Sequence, residues 1–133
     1  MDSSPAFRLG TGAFFLELAE PARDTYLARI ASPELQAVIP VWHHGGDFLD
    51  RFMLDLAASW RGWPGDKSWS SLEGALGLHV SMAKTGRVHI RVEMDDPSHL
   101  KWRLIANLEI DNGALDSLAN AAGAFCQHLG AAA

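Results

Sequence analysis

Between residues 87 and 94 the chain alternates without a fault. Val88, Ile90, Val92 and Met94 are apolar, and Arg87, His89, Arg91 and Glu93 stand between them. A side-chain period of two belongs to a β-strand with one face buried and one wet. The flanking segments carry the same rhythm. Leu72, Leu76, Leu78, Val80 and Met82 alternate with Glu73, His79 and Ser81 on one side. Trp102, Leu104, Ala106, Leu108 and Ile110 alternate with Lys101, Arg103, Asn107 and Glu109 on the other. Ile105 is the exception. Three such strands in succession require an antiparallel sheet with one apolar and one polar face.

The turn "AKTGRV" sets the register. A one-residue slip would send every apolar side chain of a strand to the wet face. A two-residue Thr85–Gly86 loop would pair Met82 with His89 and make that error. A three-residue loop, Lys84–Thr85–Gly86, avoids it, with Gly86 in the left-handed conformation of a bulge turn. The predicted pairs are Ser81 with His89, His79 with Arg91, and Gly77 with Glu93.

Earlier in the chain, "AFRLGTGAFFLELA" reads as one interrupted strand or a short hairpin turning at Thr11–Gly12. "TYLARIASPELQAVIPVW" contains Pro33 and Pro40, so it reads as two short extended pieces or one bent edge strand. A helix follows. Asp47 is placed to cap it, and Phe48, Leu49, Phe52, Met53, Leu56 and Trp60 recur at helical spacing until Gly62 and Pro64 end it. A last helix begins after Asn112–Gly113, with Leu115, Leu118, Ala119, Ala122, Phe125, Cys126 and Leu129 on one stripe. The order strands, helix, three strands, helix predicts an α+β fold: a two-layer sandwich with both helices packed on one face of an antiparallel sheet.

The length, 133 residues, suits a single domain over 1–133, with 131–133 as a frayed end. No internal sequence repeat appears. A net charge of −5 argues against nucleic acid, because neutralising phosphates needs clustered Lys and Arg. The same charge suits a partner with a basic surface. The lone cysteine, Cys126, forms no intramolecular disulfide, and its place on an apolar stripe makes it an inert thiol. There is no signal-peptide pattern and no apolar run long enough to cross a membrane, so the expected location is cytoplasmic.

Candidate chemistry is sparse. His43–His44–Gly45–Gly46–Asp47 has two histidines but no spaced third ligand, so no metal is expected and the histidines read as a solvated helix-entry loop. "DDPSH" at 95–99 reads as a turn. Phosphate loops, nucleophile elbows and zinc-helix motifs are missing, and neither a cofactor nor an enzymatic activity is expected. Trp60, Trp69 and Trp102 are expected to close the core, and Trp42 is open to either role. Trp63, on a Gly/Pro turn, is the aromatic best placed to anchor a partner. The polar sheet face supplies the other candidate partner-binding residues: His79, His89, Arg91, Glu93 and Arg103. A small-molecule or carbohydrate site at the Trp63 turn is the alternative, and an enzyme using His79, His89 and Glu93 comes third.

The ordering also resembles a known group. The helix "DFLDRFMLDLAASW", the strand "WSSLEGxLxL", the strand "GRVHIRV", the strand "LxAxLEID" and a closing "LxxL" helix are together similar to the WapI-type bacterial immunity proteins. The block "WRGWxGxKSWxSLEG", Trp60 to Gly74, also resembles an uncharacterised bacterial family. The first likeness implies a non-enzymatic, cytoplasmic protein-binding module that blocks the C-terminal domain of a cognate toxin; the chain is expected to be a monomer or a homodimer. It supplies no residues by number. The stretch "PARDTYLARIASPELQ" follows that pattern only in rhythm, which leaves the number of early strands open.

Overall fold

A computed structural model describes residues 6–98 and 101–131. It is an α+β fold of two four-stranded antiparallel sheets and two helices. The first sheet holds β1 (Phe7–Thr11), β2 (Phe14–Ala19), β3 (Thr25–Ala31) and β4 (Gln36–Trp42) in that spatial order. Helix α1 (Leu49–Ala58) leads to the second sheet: β5 (Lys67–Ser70), β6 (Leu76–Met82), β7 (Arg87–Asp95) and β8 (Arg103–Asp111). Helix α2 (Leu115–Ala131) closes the chain. Four strands and a helix thus occur twice in succession, an architectural repeat that leaves no trace in the sequence. Residues 132–133, at the expected frayed end, lie outside the described residues, and Ala131 is the last residue of α2.

Local chemistry explains each element. Thr11 pairs with Phe14, so Gly12 and Ala13 form a two-residue hairpin loop, and Gly12 has φ 61. A positive φ at the first loop position is what glycine supplies cheaply. The Pro33 and Pro40 segment resolves into two paired strands, β3 and β4. Pro40 sits on the edge strand, where its missing N–H breaks no ladder.

The register of β6 and β7 follows the turn argument: Ser81 faces His89, His79 faces Arg91 and Gly77 faces Glu93. The Ala83 amide donates to the Arg87 carbonyl at 2.9 Å, leaving Lys84–Thr85–Gly86 as the loop, and Gly86 has φ 88.

One core serves both sheets. Leu9, Leu16, Ile30 and Val41 of the first sheet meet Leu78, Val92 and Leu108 of the second, with Met53 and Leu56 of α1 and Leu115, Ala122 and Phe125 of α2. Each large side chain so buried contributes about 1.5–3 kcal/mol of transfer free energy. The helices pack on each other, and β1 runs beside β8 where the sheets meet.

The structure corrects several expectations. There are two sheets rather than one, and four strands after α1 rather than three, because "KSWS" is itself a strand. Trp69 points inward from it and Ser68 and Ser70 point out. Leu72 is exposed, because residues 71–75 are a turn: the Leu76 amide donates to Ser71 Oγ and Gly74 takes φ 80. Trp60 is 51% exposed. The helix stops at Ala58, so Trp60 leaves the buried stripe, and its carbonyl accepts Asn112 Nδ2 at 3.1 Å. Phe48 precedes α1 in a left-handed conformation and is exposed. Trp102 lies just before β8, where its carbonyl accepts the Asp96 amide, and its ring is exposed.

His43 and Asp47 also differ. His43 is buried rather than solvated: strand alternation continues past Trp42 and turns the ring inward. Its Nδ1 accepts the Gly46 amide at 3.1 Å, so Nε2–H donates to the Ala22 carbonyl at 3.1 Å. Asp47 does not cap α1. Its carboxylate accepts the amides of His44 and Leu72, and Gly46, Asp47 and Phe48 form a left-handed run ahead of the helix.

Candidate functional site

The outer face of the second sheet carries most of the candidate residues. Each strand points alternate residues outward, so four strands assemble Ser68, His79, Arg91, Glu93, Asp95 and Arg103 into one surface. Glu93 is its hub. Its carboxylate lies 3.2 Å from Arg91 Nε and 3.3 Å from His79 Nε2. That contact places the ring proton on Nε2 and leaves Nδ1 to accept the Ser68 hydroxyl at 2.8 Å. One strand over, His89 Nε2 meets Asn107 Oδ1 at 3.0 Å.

Arg103 forms the best-built pair. Its Nε and Nη2 reach the two oxygens of Asp95 at 2.7 and 3.3 Å, a two-point contact that raises the guanidinium's pKa still further. Arg87 bridges Asp111 at 3.3 Å and Glu109 at 3.8 Å at the far end.

His79, His89, Arg91, Glu93 and Arg103 therefore share one face. Trp63 stands apart from this network. Its indole N–H donates to the Val80 carbonyl at 3.0 Å, its ring packs against the core, and the Lys67 ammonium lies 5.5 Å from the ring centre. Lys67 also bridges Asp55 at 2.6 Å, which ties the turn to α1.

Sequence reasoning missed Ser68 and Asp95 as members of the face. The signal was present for Ser68, since K-S-W-S alternates, but four residues are too few to stand out from a Gly/Pro-rich stretch. Asp95 was absorbed into a turn, although its pairing with Arg103 extends both strands by one residue. Glu73 lies in the β5–β6 turn, at the rim, and Lys101 precedes β8.

An apolar element interrupts this charged surface. Ile105, directly opposite Glu93, is 54% exposed. Trp42, Leu72 and Trp102 are also exposed, and all three belong to segments at the sheet's loop end. The Leu72 amide is held by Asp47, five residues beyond Trp42, and the Trp102 carbonyl by Asp96. Gly77 widens the surface where a side chain would otherwise stand, and an open concavity of about 290 Å3 lies over Ser68, His79, Glu93, Asp95 and Arg103.

Ser68, His79 and Glu93 occur in the order of a hydrolase relay, but nucleophilic chemistry also asks for converging oxyanion donors and a water-excluding cleft. This concavity opens on a sheet surface. Among the described residues no group of three or more His, Cys, Asp or Glu is arranged to hold a metal ion. Cys126 is buried, and desolvation pushes its thiol up to about 11. No helix among the described residues is long and apolar enough to cross a membrane.

Fold and surface together define an α+β protein whose second sheet presents a mixed polar and apolar outer face. The chain belongs to a family of unknown function, DUF6228, whose model matches residues 11–128. A search of the curated proteins finds no match. Among solved structures, the chain is similar in fold to the plant transcriptional regulator PBF-2. The TM-score is 0.55 at 6% identity, over 97% of this chain and 84% of that one. At that identity the likeness concerns the fold alone.

Proposed function

We propose that this chain is a non-enzymatic protein-binding module of the immunity type, which masks a cognate toxin domain in the cytoplasm. The observation that supports it best is Ile105. An aliphatic side chain, 54% exposed, stands on a face otherwise made of ion pairs, with exposed Trp42, Leu72 and Trp102 at one end. An exposed aliphatic residue beside ion pairs, near exposed aromatic side chains, supplies the mixture of apolar anchors and polar groups from which interfaces are built. In this reading both helices lie on the core side of the second sheet as one layer, leaving the opposite face free to dock. The net charge of −5 favours a basic partner and speeds encounter with it. The resemblance to immunity proteins supports the same reading.

The test is a pull-down with wild-type protein and with Ile105→Asp, bound proteins being identified by mass spectrometry. A stoichiometric, salt-resistant partner with a toxin-like C-terminal domain, lost with Ile105→Asp while the variant unfolds at the wild-type temperature, is the expected result. Failure to retain any partner, or equal retention by both proteins, would overturn the proposal or its surface respectively.

A further inference from the structure

Three segments distant in sequence meet beside Trp60: the stretch leaving α1, the β6–β7 turn and the junction between β8 and α2. Asn112 ties them together. Its main-chain amide donates to the Gly86 carbonyl at 3.1 Å, and its Nδ2 donates to the Trp60 carbonyl at 3.1 Å. The side chain lies against Gly86, where a Cβ would stand 3.2 Å from Nδ2 and 3.3 Å from Oδ1. Only the nitrogen of that amide can donate, so Oδ1 is an acceptor of fixed direction, with no partner among the described residues.

An open concavity of about 260 Å3 lies here, lined by Trp60, Asn112, Gly113, Leu115 and Asp116. Leu115 is buried, whereas the Trp60 indole is exposed. The Asp116 carboxylate has no hydrogen bond or ion pair among the described residues. Gly113 adds no side chain, and a Cβ there would meet nothing within 4 Å. Pockets for drug-sized ligands run from roughly 300 to 1,000 Å3. This one is slightly smaller and suits a single ring.

The lining selects the chemistry. An indole face carries negative charge density and attracts C–H groups of slight positive charge. The two acceptors beside it, Asn112 Oδ1 and the Asp116 carboxylate, call for a ligand that donates hydrogen bonds. A cation would satisfy indole and carboxylate as well, but the Arg61 guanidinium already lies 5.1 Å from the Trp60 ring centre. Arg61 balances Asp116, so a neutral ligand enters without an unpaired charge. We propose that this concavity binds one neutral pyranose sugar, with its axial C–H groups on the Trp60 indole and its hydroxyls donating to Asn112 and Asp116. The site uses none of the residues assigned to partner binding and stands apart from that reading.

The probe is methyl β-D-glucopyranoside, whose equatorial substituents leave C–H groups on both ring faces. It is titrated into the isotopically labelled full chain and followed by amide and indole NMR shifts. Glycerol serves as a hydroxyl-bearing control without a ring, and N-acetyl-arginine amide as a cationic one. Expected are saturable shifts at the Trp60 indole and in residues 112–116, with a millimolar Kd for a ligand of this size, and none with either control. Trp60→Ala removes the platform but keeps the carbonyl that Asn112 needs, and should weaken binding about five- to ten-fold. Gly113→Gln fills the mouth at a position with no left-handed φ and open space for a Cβ, and should abolish binding. Both positions are exposed, so both variants are expected to unfold at the wild-type temperature. No saturable shift, shifts centred on another tryptophan, an equal response to glycerol, preference for the arginine derivative, or affinity unchanged in either variant would overturn the site.

Discussion

The indole N–H of Trp69 donates to the main-chain carbonyl of Asp47 at 2.9 Å, and the Asp47 carboxylate accepts the Leu72 amide at 2.9 Å. These two bonds join the entry to α1 with the first hairpin of the second sheet. They connect the two strand-and-helix halves through a residue whose own φ is 55. Asp47→Ala removes the acceptor for two amides and places alanine in the left-handed region. We expect a loss of about 2–3 kcal/mol in urea unfolding. Asp47→Asn tolerates that conformation and keeps one of the two acceptor oxygens but sets a donor against the other amide, so its cost should be smaller, about 1–2 kcal/mol. Equal losses would show that the side-chain bonds contribute little.

Tyr26 is buried, packed edge-on against Phe125 with ring centres 5.6 Å apart, and its hydroxyl has no hydrogen-bond partner among the described residues. Burial, helped by the charges of Asp47 and Cys126, raises its pKa far above the ordinary 10. A buried donor without a partner bears its full desolvation cost. Tyr26→Phe is therefore expected to be neutral or to stabilise by about 1 kcal/mol, read from the thermal midpoint. A loss of similar size would mean that an ordered water holds the hydroxyl.

Gly46 has φ 82, and a Cβ there would stand 2.9 Å from Cys126 Sγ and 3.3 Å from Leu129 Cδ1. Gly46→Ala combines backbone strain with overpacking and should cost about 2–4 kcal/mol. Cys126→Ala in the same chain removes the clash but not the strain. A double-mutant cycle should then show a favourable coupling of about 1 kcal/mol or more. Strict additivity would mean that the cost is conformational alone.

On the outer face of the first sheet, Glu17 bridges Arg8 at 2.8 Å and Arg29 at 3.1 Å. The hydrogen bond from Arg8, with that from Arg29, holds the carboxyl below its ordinary value of 4.5 despite some opposing desolvation. A lowered folded-state pKa stabilises above the unfolded value and loses that contribution as pH falls through the folded one. Wild type should exceed Glu17→Gln by about 0.5–1 kcal/mol near neutral pH. The difference should vanish as the solution is acidified below pH 4.5. A gap that persisted in acid would assign the effect to packing.

The candidate face was legible because alternation is a local property. His79, His89, Arg91, Glu93 and Arg103 share one side because their strands alternate and because the three-residue turn, unlike a two-residue one, keeps Met82 opposite Val88. The tryptophans were less legible. Trp60 and Trp102 both fit a period, but Trp60 follows the end of α1 and Trp102 precedes the start of β8, where the period no longer places a side chain.

What the sequence determined by itself is strand register, helix stripes and the polar–apolar division of the second sheet, since each depends on neighbours two to four positions away. What tertiary structure alone decided is that eight strands divide into two sheets around one core, with β1 beside β8. It also turned His43 inward onto Ala22 and Gly46, and set Trp42 beside Glu73 and Asp95. These arrangements bring together residues tens of positions apart, and such contacts arise from packing two independently patterned sheets, which no period along the chain records.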